Sequence, residues 1–289
     1  MSFEVVTAAG DVVRASQDEH PDLFWGLRGG GGNFGVVTEF EFRLHPVRTK
    51  ALVAEYSFPV QRVYEVLRGW RDLLPSAPRQ ATLNASIGPG GMVTVGFVWV
   101  GDLGGARQLL APARLFGRPD TERVFELSYL ELQRKADAVQ RHALRRYSTG
   151  HYLRQLPDEA IEAFLHRGDP DGSGENLPNV GLTGYGGAIA DVPEEDTAFS
   201  HRAAVVEYGA SASWRDPAED RARITAARRS AAALNRYASG VYVNFLNDEG
   251  AEGVRRAYPP KTMARLTAVK TAYDPDNVFH LNHNIRPSA

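Results

Sequence analysis

Gly29-Gly30-Gly31-Gly32-Asn33-Phe34-Gly35 is the stretch on which the reading of this chain turns. Before it, Asp22-Leu23-Phe24-Trp25-Gly26-Leu27-Arg28 reads as a short helix. After it, Val36-Val37-Thr38-Glu39-Phe40-Glu41-Phe42-Arg43-Leu44 alternates like a strand until His45-Pro46 ends it. Consecutive glycines cost backbone entropy, so a folded protein keeps them where φ must be positive or where something approaches the main chain closely, commonly a phosphate-bearing ligand. Gly30, Gly32 and Gly35 satisfy G-x-G-x-x-G, but a dinucleotide fingerprint needs a strand before it and a helix after it. The order here is helix, loop, strand. With Val37 the same residues fit the kinase loop, yet no V-A-I-K, H-R-D or D-F-G follows. An arbitrary glycine run is more often a plain surface loop, and only the flanks set this one apart.

The bulk numbers exclude several classes. At 289 residues the chain can bury a substantial core without staples. A net charge of −2, with both signs spread along the chain, gives no footprint for nucleic acid or an anionic membrane. Zero cysteines remove disulfides, thiolate nucleophiles, zinc knuckles and iron–sulfur clusters, while leaving the compartment open. No apolar run approaches the ~20 residues of a membrane span. The eight histidines are scattered and no H-E-x-x-H occurs, so no metal is expected.

Outward from the glycines, Phe3–Thr7 and Val12–Arg14 read as a hairpin around Ala9-Gly10-Asp11, and a chain that opens inside a hairpin looks cut. Val63, Val66, Leu67, Trp70 and Leu74 mark a helix at period 3.6, and Met92–Val100 is strongly β-forming. Further helices are expected at Glu122–Arg146, Pro157–Arg167, Ala218–Tyr237 and Pro260–Ala272, with strands at Val180–Ala190 and Ala203–Trp214 and a short strand after Val241. Gly168-Asp169-Pro170-Asp171-Gly172-Ser173-Gly174 is loop chemistry. Strands and helices do not alternate as a parallel array would, which implies α+β with a largely antiparallel sheet.

Glu19 through Thr38 closely resembles the end of the first FAD-binding segment of berberine bridge enzyme-like oxidases. Three more segments resemble the same family in order: Gly186–Phe199, Tyr242-Val243-Asn244-Phe245, and Tyr273-Asp274-Pro275-Asp276-Asn277 through Ile285. The resemblance implies a split FAD-binding domain and a central substrate domain whose antiparallel sheet, flanked by helices, covers the flavin ring. Residues 1–47 would finish the first FAD segment, 48–235 form the substrate domain, and 236–289 return to the FAD domain. Family members carry a pyrophosphate loop and a flavin-bonded histidine upstream of this hairpin, so the chain is expected to be an N-terminally truncated fragment.

The family reading implies an oxidoreductase that transfers hydride from an alcohol, sugar or amine carbon of a small molecule to FAD, with oxygen as the expected acceptor. Tyr242 matches the family's active-site tyrosine. If Tyr242-x-Asn244 lies on a strand, both side chains point to one face. A phenol of pKa ~10 must be activated by a nearby cation, or pass its proton on as hydride leaves, to serve as a base at neutral pH. Gly29, Gly30, Gly31, Gly32, Asn33, Phe34, Gly35, Val37, Asn244, Asn282 and Asn284 are the implied cofactor contacts. Tyr185 and Tyr208, with Trp99 and Trp214, fall on candidate strands and would line a substrate pocket or simply pack a core. The rival is a non-catalytic binding or interaction domain that folds without flavin.

Overall fold

A computed structural model describes residues 1–47, 50–88, 90–114, 116–135 and 144–288. The chain divides into two compact units. One gathers Met1–His45, Ile189–Arg202 and Gly240–Ala289, and the other holds Pro46–Ala188 and Ala203–Ser239.

In the first unit, β1 (Ser2–Val6), β2 (Val12–Ser16) and β3 (Val36–Glu41) form an antiparallel sheet in the order β2-β1-β3. The hairpin turn closes through Gly10, whose φ of 86° suits glycine. Helices Pro21–Leu27, Gly250–Ala257 and Pro260–Tyr273 complete the unit. Pro21 and Pro260 each stand at the first helical turn, where a missing N–H costs nothing. Phe3 and Val5 of β1 meet Leu23, Phe24 and Trp25 of the first helix and Leu266 and Val269 of the last, with Phe34 and Ile285 filling between. At one edge this core runs into solvent: Phe40 packs edge-on against Phe3 and stacks on Phe42, yet the two are 56% and 62% exposed.

The second unit is one eight-stranded sheet of β4 (Lys50–Phe58), β5 (Ala81–Ile87), β6 (Val93–Val100), β7 (Thr121–Ser128), β8 (Arg145–Leu153), β9 (Asn179–Gly184), β10 (Val206–Trp214) and β11 (Ala238–Gly240). Its order is β11-β8-β10-β9-β5-β6-β4-β7, and the pairings from β8 through β7 are antiparallel. Helices Val63–Leu73, Asp158–His166 and Asp220–Ala232 bury one sheet face. Val66, Leu67 and Trp70 on the first helix and Ile161 and Phe164 on the second meet alternate strand residues such as Leu83, Val95, Leu182 and Tyr208. Pleating sends the intervening residues to the opposite face. There the register sets Glu207 against Tyr152 on one side and Thr183 on the other, and Asn84 against Thr183. In the neighbouring row Gly209 lies between Gly150 and Gly181, so three adjacent strands present bare backbone.

The α+β expectation and its antiparallel sheet hold. The helix expected over Glu122–Arg146 does not: β7 and β8 occupy its ends, and among the described residues of the span only Tyr129–Arg134 is helical, started by a Ser128–Glu131 capping box. Thr121–Ser128 carries good helix formers, but pairing with β4 overrides that weak preference. Residues 136–143 of that expected helix lie outside the described residues. The strand expected over Val180–Ala190 stops at Gly184, because Gly186 and Gly187 take positive φ before a turn of helix at Ala188–Asp191. Nor is Val241 the start of a strand: Val243–Phe245 is a turn of 3₁₀ helix. Ile189–Arg202, read from sequence as part of the substrate domain, belongs to the first unit. There Trp25 Nε1 donates to the Glu195 carbonyl at 2.8 Å and Phe199 N–H to the Arg28 carbonyl at 3.0 Å.

Phe42→Lys is expected to reduce binding of a hydrophobic dye while leaving the denaturant midpoint nearly unchanged, since exposed sites usually tolerate substitution within about 0.5 kcal/mol. Unaltered dye fluorescence would mean that the aromatic ridge is not the sticky surface.

Candidate functional site

The glycine run serves two ends. Part of it answers to the chain's own packing. A Cβ on Gly29, which holds φ 134°, would collide with the backbone of Ala198 and Phe199. One on Gly30 would meet the Gly26 carbonyl at 2.6 Å, and one on Gly35 the Val6 carbonyl at 2.5 Å. Gly31 and Gly32 differ: both are exposed, and neither N–H has a hydrogen-bond partner among the described residues. Two unbonded donors on an exposed turn suit an anionic or carbonyl acceptor.

Asn33 is not available for that purpose. Its Nδ2 donates to the Gly30 carbonyl at 2.8 Å and the His283 carbonyl at 3.2 Å, and its Oδ1 accepts from Ile285 N–H at 3.0 Å. This corrects the expectation of a ligand-facing amide, because the side chain's groups are spent knitting loop to tail. Phe34 is likewise a core residue with no exposed surface, and Val37 packs against the same core. Sequence reading passed over the residue beneath them, Lys270. Fully buried, it donates to the Asn33 carbonyl at 2.9 Å, the Phe279 carbonyl at 2.9 Å and Asp274 Oδ2 at 2.5 Å. Asp274 also accepts from Val278 and Phe279 N–H at 2.7 and 2.9 Å. Burial pushes the Asp274 carboxyl up, but the Lys270 bond and the two backbone donors outweigh it and hold it below the usual aspartate range. A lysine four residues before the Asp274-Pro275 turn was the signal available.

Tyr242 sits in the same unit, half-buried between Phe199 and Phe245, with ring centroids 5.9 and 6.0 Å away. It caps the 3₁₀ turn that carries Asn244, so the pair shares no strand face. Instead Asn244 Nδ2 donates directly to the Tyr242 hydroxyl at 2.7 Å. Phe199 joins this cluster to the glycines, since its backbone lies against Gly29 and its ring against Tyr242. Tyr258, buried nearby, donates its hydroxyl to the Gly29 carbonyl at 2.8 Å; burial, then the Tyr242 charge, raise its pKa. In the tail, Asn282 Nδ2 donates to the Gly32 carbonyl at 3.2 Å, and Asn284 Oδ1 is buried with no partner among the described residues.

In the second unit, Tyr208 is wholly buried, stacked on His151 and bonded to Ser230 at 2.9 Å, which corrects its expected place in a substrate pocket. Trp99 and Trp214 are core residues as well. Tyr185 is partly exposed, and its hydroxyl donates to Glu207 Oε1 at 3.3 Å and lies 3.4 Å from the Tyr152 hydroxyl. Desolvation raises the Glu207 carboxyl, and the Tyr185 bond only partly opposes it. Glu207 went unnoticed in the sequence because a lone glutamate in a strand carries no pattern. Among the described residues no cluster of His, Asp or Glu could hold a metal, and no helix is long and apolar enough to cross a membrane.

Residues 241–286, which contain Tyr242, Lys270 and the amide tail, match the family model described as berberine and berberine like. Over this segment the chain is similar to berberine bridge enzyme-like proteins. It is 27% identical over 299 residues to the FAD-linked oxidoreductase YvdP of Bacillus subtilis, covering 100% of this chain and 66% of that one. To (R)-6-hydroxynicotine oxidase of Paenarthrobacter nicotinovorans it is 28% identical over 305 residues, covering 98% and 64%. Its fold is that of Physcomitrella patens BBE-like 1, with a TM-score of 0.87 at 22% identity over 100% of this chain and 65% of that one. The chain thus spans about two thirds of the length of the relatives it matches.

Two expectations follow for it. Gly29→Ala and Gly35→Ala should each destabilise by about 2 kcal/mol or more, because backbone must move, whereas Gly31→Ala, whose Cβ would make only ordinary contact with Asn33 Nδ2 at 3.7 Å, should cost only about 1 kcal/mol of αL strain. Equal losses in urea titrations at all three would refute the division of labour within the run. Because the Asp274 pKa is depressed, its contribution is full above the unfolded value of about 3.9 and drains as pH falls through the lower folded value. The double variant Lys270→Met/Asp274→Asn, which leaves neither charge buried alone, should therefore flatten the acid limb of stability measured below about pH 4; an unchanged limb would assign it to other carboxylates.

Proposed function

We propose that this chain is the larger part of a flavin-dependent oxidoreductase that removes hydride from an alcohol, sugar or amine carbon of a small molecule, with oxygen as the electron acceptor. The observation that carries the reading is the single cluster of Gly29, Phe199, Tyr242 and Asn244, which unites three sequence segments of the family. Support comes also from relatives named FAD-linked oxidoreductases and from a relative named an oxidase of 6-hydroxynicotine.

The residues present fit FAD. Gly31 and Gly32 offer unbonded N–H donors, a Cβ at Gly32 would strike the Asn282 amide at 2.6 Å, and Asn284 leaves a buried acceptor unpaired. Gly31, Gly32, Asn282 and Asn284 would hold the cofactor, with Asn33 acting only through the shape of the loop. Bound flavin supplies the hydride acceptor that no side chain can provide.

What remains for the protein is to take the proton from the substrate O–H or N–H. Two groups qualify. Asn244 donates to the Tyr242 oxygen and so orients that hydroxyl, where sequence reasoning had sought a cation. Glu207 has a carboxyl raised by burial, which brings it nearer to neutrality, as a general base requires. The bare backbone of Gly150, Gly209 and Gly181 leaves room beside it. We assign Tyr242 as the base in the first unit; in the second, Glu207 is a separate candidate for binding a polar group.

Reconstituted with FAD, the protein should absorb near 450 nm, as flavoproteins do at about that wavelength; a colourless protein after reconstitution would sink the assignment. Tyr242→Phe should slow flavin reduction about 10²-fold, and Glu207→Gln should raise KM more than it lowers kcat. Because its pKa is raised, Glu207 should also set an acid limb in kcat/KM above the ordinary carboxylate value of about 4.3, which Glu207→Gln removes. Reduction at the parent rate by Tyr242→Phe would leave the tyrosine a packing residue.

A further inference from the structure

The Lys270 ammonium is surrounded by acceptors from two different stretches of chain. One bond goes to the Asn33 carbonyl in the glycine loop and another to the Phe279 carbonyl at the start of the tail, while Asp274 supplies the counter-charge. Lysine has three N–H donors, and all are used. The same two stretches are stitched a second time through Asn33, whose amide spans Gly30, His283 and Ile285. A buried ion pair is a poor way to gain stability, because well-packed apolar residues of similar volume often serve as well or better. Its advantage is geometric: an ammonium with fixed acceptors sets the separation of the backbones that carry them.

We propose that Lys270 is a positioning residue that sets the Gly31–Gly32 turn and the Asn282–Asn284 tail in one register, so that their ligand-facing groups act as a single cradle for the flavin. Asp274 holds the ammonium and caps the turn through Val278 and Phe279. Neither residue touches the ligand. Lys270 acts through the Asn33 and Phe279 carbonyls. The inference rests on the flavin reading above.

The test is the double variant Lys270→Met/Asp274→Asn. Lys270→Met alone would leave a buried unpaired carboxylate and fail to fold for that reason, whereas the double variant removes both charges and keeps an acceptor for the turn. Three measurements are made on parent and variant: unfolding midpoint, amide hydrogen exchange, and FAD titration followed by flavin fluorescence quenching. The expected result is a midpoint within about 5 °C of the parent, exchange accelerated at least about tenfold in 29–35 and 279–285 together but not in helix Pro260–Tyr273, and FAD affinity weakened at least about tenfold. A merely structural pair would move the midpoint and leave affinity in step with it. A stable variant that keeps parent-like loop protection and parent-like FAD affinity overturns the proposal while leaving the flavin reading intact. A parent that binds no FAD overturns that reading and the proposal with it. Should the methionine variant not fold, Lys270→Gln/Asp274→Asn takes its place, with the same result expected and the same result decisive.

Discussion

A charge placed where no water reaches organises the first unit. The Lys270 ammonium is tolerable there only because Asp274 and two main-chain carbonyls surround it, and each of those acceptors must be held by its own part of the chain. The glycine loop has to present the Asn33 carbonyl, the turn after the last helix has to present Asp274, and the tail has to present the Phe279 carbonyl. Satisfying one lysine therefore fixes three segments, and the Asn33 amide uses that arrangement to reach His283 and Ile285.

The two candidate groups, one in each unit, gain their surroundings by a different logic. Tyr242 gains its surroundings from aromatic edges and a neighbouring amide, with no ion pair at its hydroxyl. Glu207 gains its from the sheet: pleating puts it on the face away from the helices, and the register brings Tyr152 and Thr183 alongside. In the first case a donor orients the hydroxyl, and in the second desolvation disfavours the charged carboxylate.

What the sequence revealed follows from how local each signal is. The hairpin, the Val63–Leu73 helix and β6 announce themselves by period, and the glycine run by composition. β7 could not be read, because its pairing with β4 is non-local and its residues favour a helix when taken alone. Glycine chemistry singled out the loop, but Gly29, Gly30 and Gly35 are required by Phe199, Gly26 and Val6, and among the described residues Gly31 and Gly32 are the two of the run with unbonded, exposed N–H groups. Asn33 and Tyr208 were residues of the right type facing inward, and only tertiary contacts tell inward from outward. Lys270 and Glu207 went unread because a charged residue in an ordinary helix or strand looks solvated until its neighbours are known.

The first unit is threaded from three stretches, and the bond between Lys270 and Asn33 joins positions 237 residues apart. Contacts of such separation form late, since their loop must close before they return any energy. On the ribosome, the Phe3–Phe24–Phe34 cluster emerges long before Leu266, Val269 and Ile285, the residues that cover it. The sheet and helices of the second unit, which lie between them in sequence, are free to form while it waits. Vectorial synthesis here runs against assembly order, and the uncovered aromatic cluster is the part a chaperone would have longest to hold.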